Sequence, residues 1–201
     1  MSAYREAFEA AAERPDDFWL TAAQAIDWTV APTRALDESA APHYRWFPDG
    51  QLNTCYNALD RHVEAGNGDR TALIYDSAVT DTKRVYTYAE LLDQTARFAG
   101  VLRSLGVGKG DRVILMLGNQ TELWESMLAV SKLGAVIMPT TGALGAEDLA
   151  DRITRGAAQY VIANAADAAE GWWQAQSPLL ARHRVLAIDW LGDGDGLDGL
   201  V

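Results

Sequence analysis

A chain of 201 residues, 49% hydrophobic and 22% charged, has the composition of a globular protein with a core, which excludes a disordered segment. Its formal net charge of −11, from 28 acids against 17 bases, excludes nucleic acid and anionic membrane as partners. A single cysteine, Cys55, excludes an internal disulfide framework, and no apolar run approaches the ~20 residues of a membrane span. The opening "MSAYREAFEAAAERPDDF" is amphipathic and acidic and lacks the apolar core and cleavage site of a secretory signal, so a cytoplasmic location is expected.

Residues 1–66 read as a helical N-terminal segment interrupted by irregular chain. Asp16 and Asp17 are expected to cap a helix whose apolar face is Trp19, Ala22, Ala23 and Ile26. "APHYRWFPDGQ" is loop material, punctuated by Pro42, Pro48 and Gly50. Asn53 then opens a helix with Tyr56, Leu59 and Val63 on one face and Gly66 as its stop. From residue 67 to 165 the pattern becomes α/β. "TALIY" and "RVYTY" predict a β-hairpin, and Thr87 with Glu90 forms a capping box. Leu91, Leu92, Thr95, Phe98, Ala99, Leu102 and Leu105 follow at helical spacing. "RVILML" reads as a strand buried on both faces, and "TELWESMLAVSKLG" as a helix with Trp124, Met127, Leu128 and Ser131 on one side and Gly134 at its end. "AVIMP", "AEDLADRITRG" and "QYVIA" continue the alternation of strand and helix, which implies a mostly parallel sheet. Residues 166–201 form a divergent end: a helix around 171–181, the strand "RVLAID" and an acidic Gly/Asp tail.

"LGVGKGDRVILMLGNQ" raises the question of a phosphate loop, since Gly106, Gly108 and Gly110 surround Lys109. Phosphate loops run strand, glycines, helix; here the order is helix, glycines, strand. Gly106 is therefore expected as the left-handed residue that ends a helix, with Lys109 complementing the helix's negative end. Cys55 and His62 lie seven apart and could share a helix face, but a buried, inert cysteine is the commoner arrangement. His43, His62 and His183 are scattered, and neither HExxH nor CxxC occurs, so no zinc site is expected. Asp189, Asp193, Asp195 and Asp198 do not complete a calcium loop, because Leu197 stands where an oxygen ligand is needed. The tryptophans, Trp19, Trp28, Trp46, Trp124, Trp172, Trp173 and Trp190, are expected to pack in cores and between subdomains.

"HYRWFPDGQLNTCYNALDRHVEAGNGDRTALIYDS" followed by "YTYAELLDQTARFAGVLRSLGVGKGDRV" resembles the start of an AMP-forming acetyl- or propionyl-CoA synthetase, of the adenylate-forming superfamily. "LGNQTELWESMLAVSKLGAVIMPTT" resembles another branch of that superfamily, and the resemblance spans about residues 15–165. It implies the incomplete large domain of such an enzyme. A complete member uses ATP, Mg²⁺ and CoA: a carboxylate attacks ATP to give an acyl-adenylate and pyrophosphate, and the CoA thiol displaces AMP. The family's motifs for that work are a Ser/Thr/Gly-rich loop ending in Pro-Lys, an aromatic–Gly–x–Thr–Glu run, an adenosine-binding aspartate and a C-terminal lysine. These are absent from the 201 residues. Where short-chain synthetases place arginines for CoA phosphates, after the strand matching "YVIANA", this chain reads "DAAEGWW" with Glu170. No catalytic, cofactor-binding or metal-binding residue is therefore assigned. Two readings stand: the front part of an acyl-CoA synthetase, not competent alone, or a non-catalytic α/β module that pairs with itself or with a complementary fragment or full-length relative.

Overall fold

The computed structural model describes residues 2–164 and the strand 184–188. Its contacts divide the chain into two compact units, Met1–Asn53 and Thr54–Val201.

The first unit opens with α1 (Ala3–Glu13), capped by the Ser2 hydroxyl, and α2 (Pro15–Ala23). Pro15 occupies the first helical turn, where its missing N–H costs nothing and its fixed φ is already helical. Asp16 and Asp17 consequently sit inside the first turn of α2, not at its cap, and favour the helix through its positive end. The helix stops at Ala23, whose carbonyl accepts a bond from the Trp28 indole N–H at 2.8 Å. Ile26 therefore lies beyond the helix. Of the expected apolar face only Ala23 is buried, while Trp19 and Ile26 remain exposed. A short antiparallel ladder joins β1 (Leu36–Asp37) to β2 (Arg45–Trp46). Aromatic rings pack edge to face around it, Trp19 on Trp46 at 5.5 Å and Trp28 on Phe47 at 5.4 Å.

The second unit begins with a helical stretch over 54–67 that widens into two π-helical turns, Tyr56–Asp60 and Val63–Asn67. Gly66 takes φ +80° and ends it, as its position in the sequence implies. The hairpin pairs β3 (Thr71–Ser77) with β4 (Thr82–Thr87), and its inner face seats Tyr86 in a small core with Cys55, Leu59 and Leu91. α3 (Tyr88–Ser104) carries the capping box as read: the Thr87 hydroxyl accepts from the Glu90 N–H, and the Glu90 carboxylate accepts from the Thr87 N–H at 2.8 Å.

Four parallel strands follow in the spatial order β6–β5–β7–β8: β5 (Arg112–Met116), β6 (Val136–Pro139), β7 (Tyr160–Asn164) and β8 (Arg184–Ile188). α4 (Thr121–Lys132) links β5 to β6, and α5 (Ala146–Gly156) links β6 to β7. Alternation along β5 and β7 divides the core in two. Val113, Leu115 and Ile162 pack with Phe98, Leu102 and Val130 of α3 and α4. Ile114, Met116 and Val161 pack with Leu149 and Ile153 of α5. The chain places β6 on one side of β5 and β7 on the other, so its helices cover both faces, as right-handed crossovers require.

α4 packs through Met127 and Leu128 of the expected side, both partly buried against the cores, but not through Trp124. Thr121, Glu125, Ser126, Ala129 and Val130 are buried, whereas Trp124 is 48% exposed. Small side chains at Ser126 and Ala129 suit close packing of the helix in the layer with α3.

The glycine turn after α3 is a helix cap. Gly106 has φ +97°; its N–H donates to the Arg103 carbonyl, and the Val107 N–H donates to the Leu102 carbonyl, both at 3.0 Å. The Lys109 stem packs on Gly134, at the end of α4, and the Gly110 N–H donates to the Gly134 carbonyl at 3.0 Å. Gly106→Ala is expected to destabilise the second unit by about 1–2 kcal/mol, because an L side chain is strained at this φ. Urea denaturation followed by far-UV circular dichroism checks this; an unchanged midpoint would remove the cap's importance.

Candidate functional site

In open parallel sheets, ligands gather outside the carboxyl ends of the strands, at the point where the strand order reverses. Here that point lies between β5 and β7. The segments that leave it are Leu117–Gln120 after β5, Thr140 and Thr141 after β6, and Asn164 at the end of β7. Gly118 and Asn119 are exposed. Gln120 is buried; its backbone N–H donates to the Gly118 carbonyl at 2.9 Å and its side-chain amide donates to Glu122 at 3.3 Å. The Thr140 N–H donates to the Leu115 carbonyl at 2.9 Å, and the Thr141 hydroxyl accepts from the Ala143 N–H at 3.2 Å, so the loop after β6 continues the strand's direction and then turns.

Charge is segregated along the strand axis. The helix first turns, at the carboxyl edge, carry Glu90 in α3, Glu122 in α4, and Glu147 and Asp148 in α5. Their last turns, at the opposite edge, carry Arg103, Lys132 and Arg155. Each charge complements its helix dipole. The described residues of the carboxyl edge are thus amides, hydroxyls and carboxylates, and the first turns of α3, α4 and α5 contain no Lys or Arg.

Glu125 is the group that sequence reasoning missed. It is 7% exposed, and burial pushes its carboxyl up to about 7, aided by Glu122 and opposed by the Arg84 guanidinium. Arg84 lies over the Tyr86 ring and donates to its hydroxyl at 3.4 Å. The signal available in the sequence was position: Glu125 stands four residues from both Thr121 and Ala129, on the small-residue stripe.

Cys55 and His62 are not brought together. Cys55 is fully buried, its thiol is pushed up to about 11 by burial, and its Sγ donates to Asp60 Oδ2 at 3.9 Å. His62 stacks against Tyr88 with ring centres 4.9 Å apart. The other oxygen of Asp60 accepts from Lys132 Nζ at 2.6 Å, which ties the 54–67 helix to the end of α4. Among the described residues no three His, Cys, Asp or Glu side chains stand together as metal ligands. His183, Glu170, Trp172, Trp173, Trp190 and the tail aspartates Asp189, Asp193, Asp195 and Asp198 lie outside the described residues, as does the helix expected around 171–181. No described helix is long and apolar enough to cross a membrane.

Comparison with known proteins agrees with this architecture. The family model for the acetyl-coenzyme A synthetase N-terminus matches residues 4–58, and that for AMP-binding enzymes matches residues 59–196, beyond residue 165 where the sequence resemblance fades. The chain is 40% identical over 161 residues to human acyl-CoA synthetase short-chain family member 3, mitochondrial, covering 80% of this chain and 24% of that protein. It is 44% identical over 163 residues to acetyl-coenzyme A synthetase of Thiobacillus denitrificans, covering 81% and 25%. The chain thus spans about a quarter of the length of the curated relatives it matches. Acetoacetyl-CoA synthetase from Streptomyces lividans superposes with a TM-score of 0.78 at 26% identity, over 98% of this chain and 32% of that one. A doubly wound parallel sheet, preceded by a hairpin and a helical segment and matched by the family model over more than half its length, shows that the chain belongs to the AMP-binding enzymes, the adenylate-forming family of acyl-CoA synthetases.

Proposed function

We propose that these residues serve a short-chain acyl-CoA synthetase, which joins a carboxylate such as acetate or propionate to CoA with conversion of ATP to AMP and pyrophosphate. The observation that carries this reading is the 40% identity to a short-chain family member across 161 residues. In a complete member, in-line attack of the carboxylate at phosphorus builds negative charge that Mg²⁺ and cationic side chains stabilise. The described residues do not fit that task, because the carboxyl edge of their sheet presents acids and amides. We therefore propose further that the 201 residues on their own do not form the acyl-adenylate. Their contribution is structural: the sheet, with α3, α4 and α5 on its faces, holds the loops after β5, β6 and β7 at one edge. A cytoplasmic location belongs to the same proposal, supported by the unpaired, buried Cys55.

Pyrophosphate release from ATP with acetate or propionate tests the second point: none is expected from this chain, and release above the no-acid blank would refute it. The synthetase reading is tested on the polypeptide isolated from its source. A product heavier than 21.9 kDa that forms acetyl- or propionyl-CoA is expected. A product of 21.9 kDa that lacks the activity would leave the non-catalytic pairing module as the function.

A further inference from the structure

We propose that the β3–β4 hairpin is a self-association surface, on which the edge of β3 pairs antiparallel with β3 of a second copy of this chain. Three observations carry it. The hairpin is a two-stranded sheet that pairs with no further strand among the described residues, so no described strand takes up the backbone N–H and C=O groups on the far side of β3. The opposed pair Ile74 and Val85 faces outward, 63% and 55% exposed, while the inner face meets the core through Tyr86. The two edges also differ in how they are guarded. β4 carries Lys83 and Arg84, charges that discourage strand pairing, whereas β3 reads "TALIYDS" with Asp76 as its one charge.

The sequence of β3 is self-complementary about its middle residue. A two-fold axis through Ile74 sets Ile74 against Ile74 of the second copy, and Leu73 against its Tyr75, so the three central cross-strand positions are apolar on both faces. Asp76 then falls opposite Ala72, and no like charges meet. Shifting the axis to Tyr75 would set Ile74 against Asp76, which disfavours that register. The result is a four-stranded antiparallel sheet whose outer face carries the row Val85, Ile74, Ile74, Val85, flanked on each chain by the Lys83–Asp76 ion pair at 2.8 Å. This association does not depend on whether the chain takes part in adenylation.

Sedimentation velocity of the full chain from low to high micromolar concentration tests the proposal. The weight-average mass is expected to climb from 21.9 kDa toward twice that value. Protection of the β3 amides from hydrogen exchange should rise over the same range. Ile74→Lys is expected to abolish both effects with an unchanged circular dichroism spectrum, since the side chain is exposed in the monomer. A monomer at every concentration overturns the proposal. So does a dimer that survives Ile74→Lys, and so do β3 edge amides already fully protected at low concentration, which would mean that another part of the same polypeptide covers the edge.

Discussion

Glu125→Gln is expected to stabilise the chain by about 3 kcal/mol above pH ~8 and to leave it unchanged below pH ~4. The unfolded carboxyl titrates at its ordinary value of 4.5, and the folded one at about 7. Between those two values the unfolded chain releases a proton that the folded chain retains. Stability therefore falls as pH rises from 4.5 to 7, and the full loss persists above 7. Glutamine keeps the volume and cannot ionise, so the variant lacks this loss. Burial is the main cause of the shift, with Glu122 one turn earlier adding repulsion and Arg84 opposing both. Arg84 is already engaged with Tyr86, which places part of its charge elsewhere. Urea denaturation of both proteins across this pH range measures the effect, and subtracting the curves removes the general repulsion of a chain with net charge −11. Parallel curves would show that Glu125 is solvated. Glu122→Gln should shift the midpoint of the parent's loss to lower pH, which separates the neighbouring charge from burial.

The elements most legible in the sequence are those fixed by local chemistry. Thr87 and Glu90 announce the start of α3 because both halves of the capping box lie within three residues. Gly106 announces its end because the left-handed position follows directly on the last periodic residue. β5 was legible because a strand covered on both faces has no polar side to show. What failed depends on packing at a distance. The buried face of α4 includes Thr121, Glu125 and Ser126, whereas periodicity weighted by hydrophobicity points to Trp124, which is exposed. Lys109 follows α3 in sequence, yet its stem lies on Gly134, its neighbour in the fold. The carboxyl edge shows the same limit. Asn119, Thr141 and Asn164 share an edge because β5 lies between β6 and β7, and strand order is not written in any local pattern.

Leu115→Ala is expected to destabilise the second unit by about 3–4 kcal/mol, through lost apolar burial and a cavity the sheet cannot close. Leu115 is fully buried in β5, with β6 and β7 hydrogen-bonded on either side and the α3–α4 layer above it. A strand held on both edges relaxes little, which puts the cost in the upper half of the range for such truncations. Its backbone carbonyl also accepts the Thr140 N–H at 2.9 Å, so the loop after β6 hangs on this residue's position. Leu115→Met, which conserves volume, should cost less than about 1.5 kcal/mol and keep that loop in place. Hydrogen exchange read strand by strand distinguishes the outcomes. In Leu115→Ala the amides of β5 and β7 should lose protection by the full amount, while those of α1 and α2, which lie in the other compact unit, keep theirs. A uniform loss across both units would show that they unfold as one. A loss below about 1 kcal/mol would mean that the helix layer collapses onto the shortened side chain, and the core around β5 would then be far softer than its packing implies.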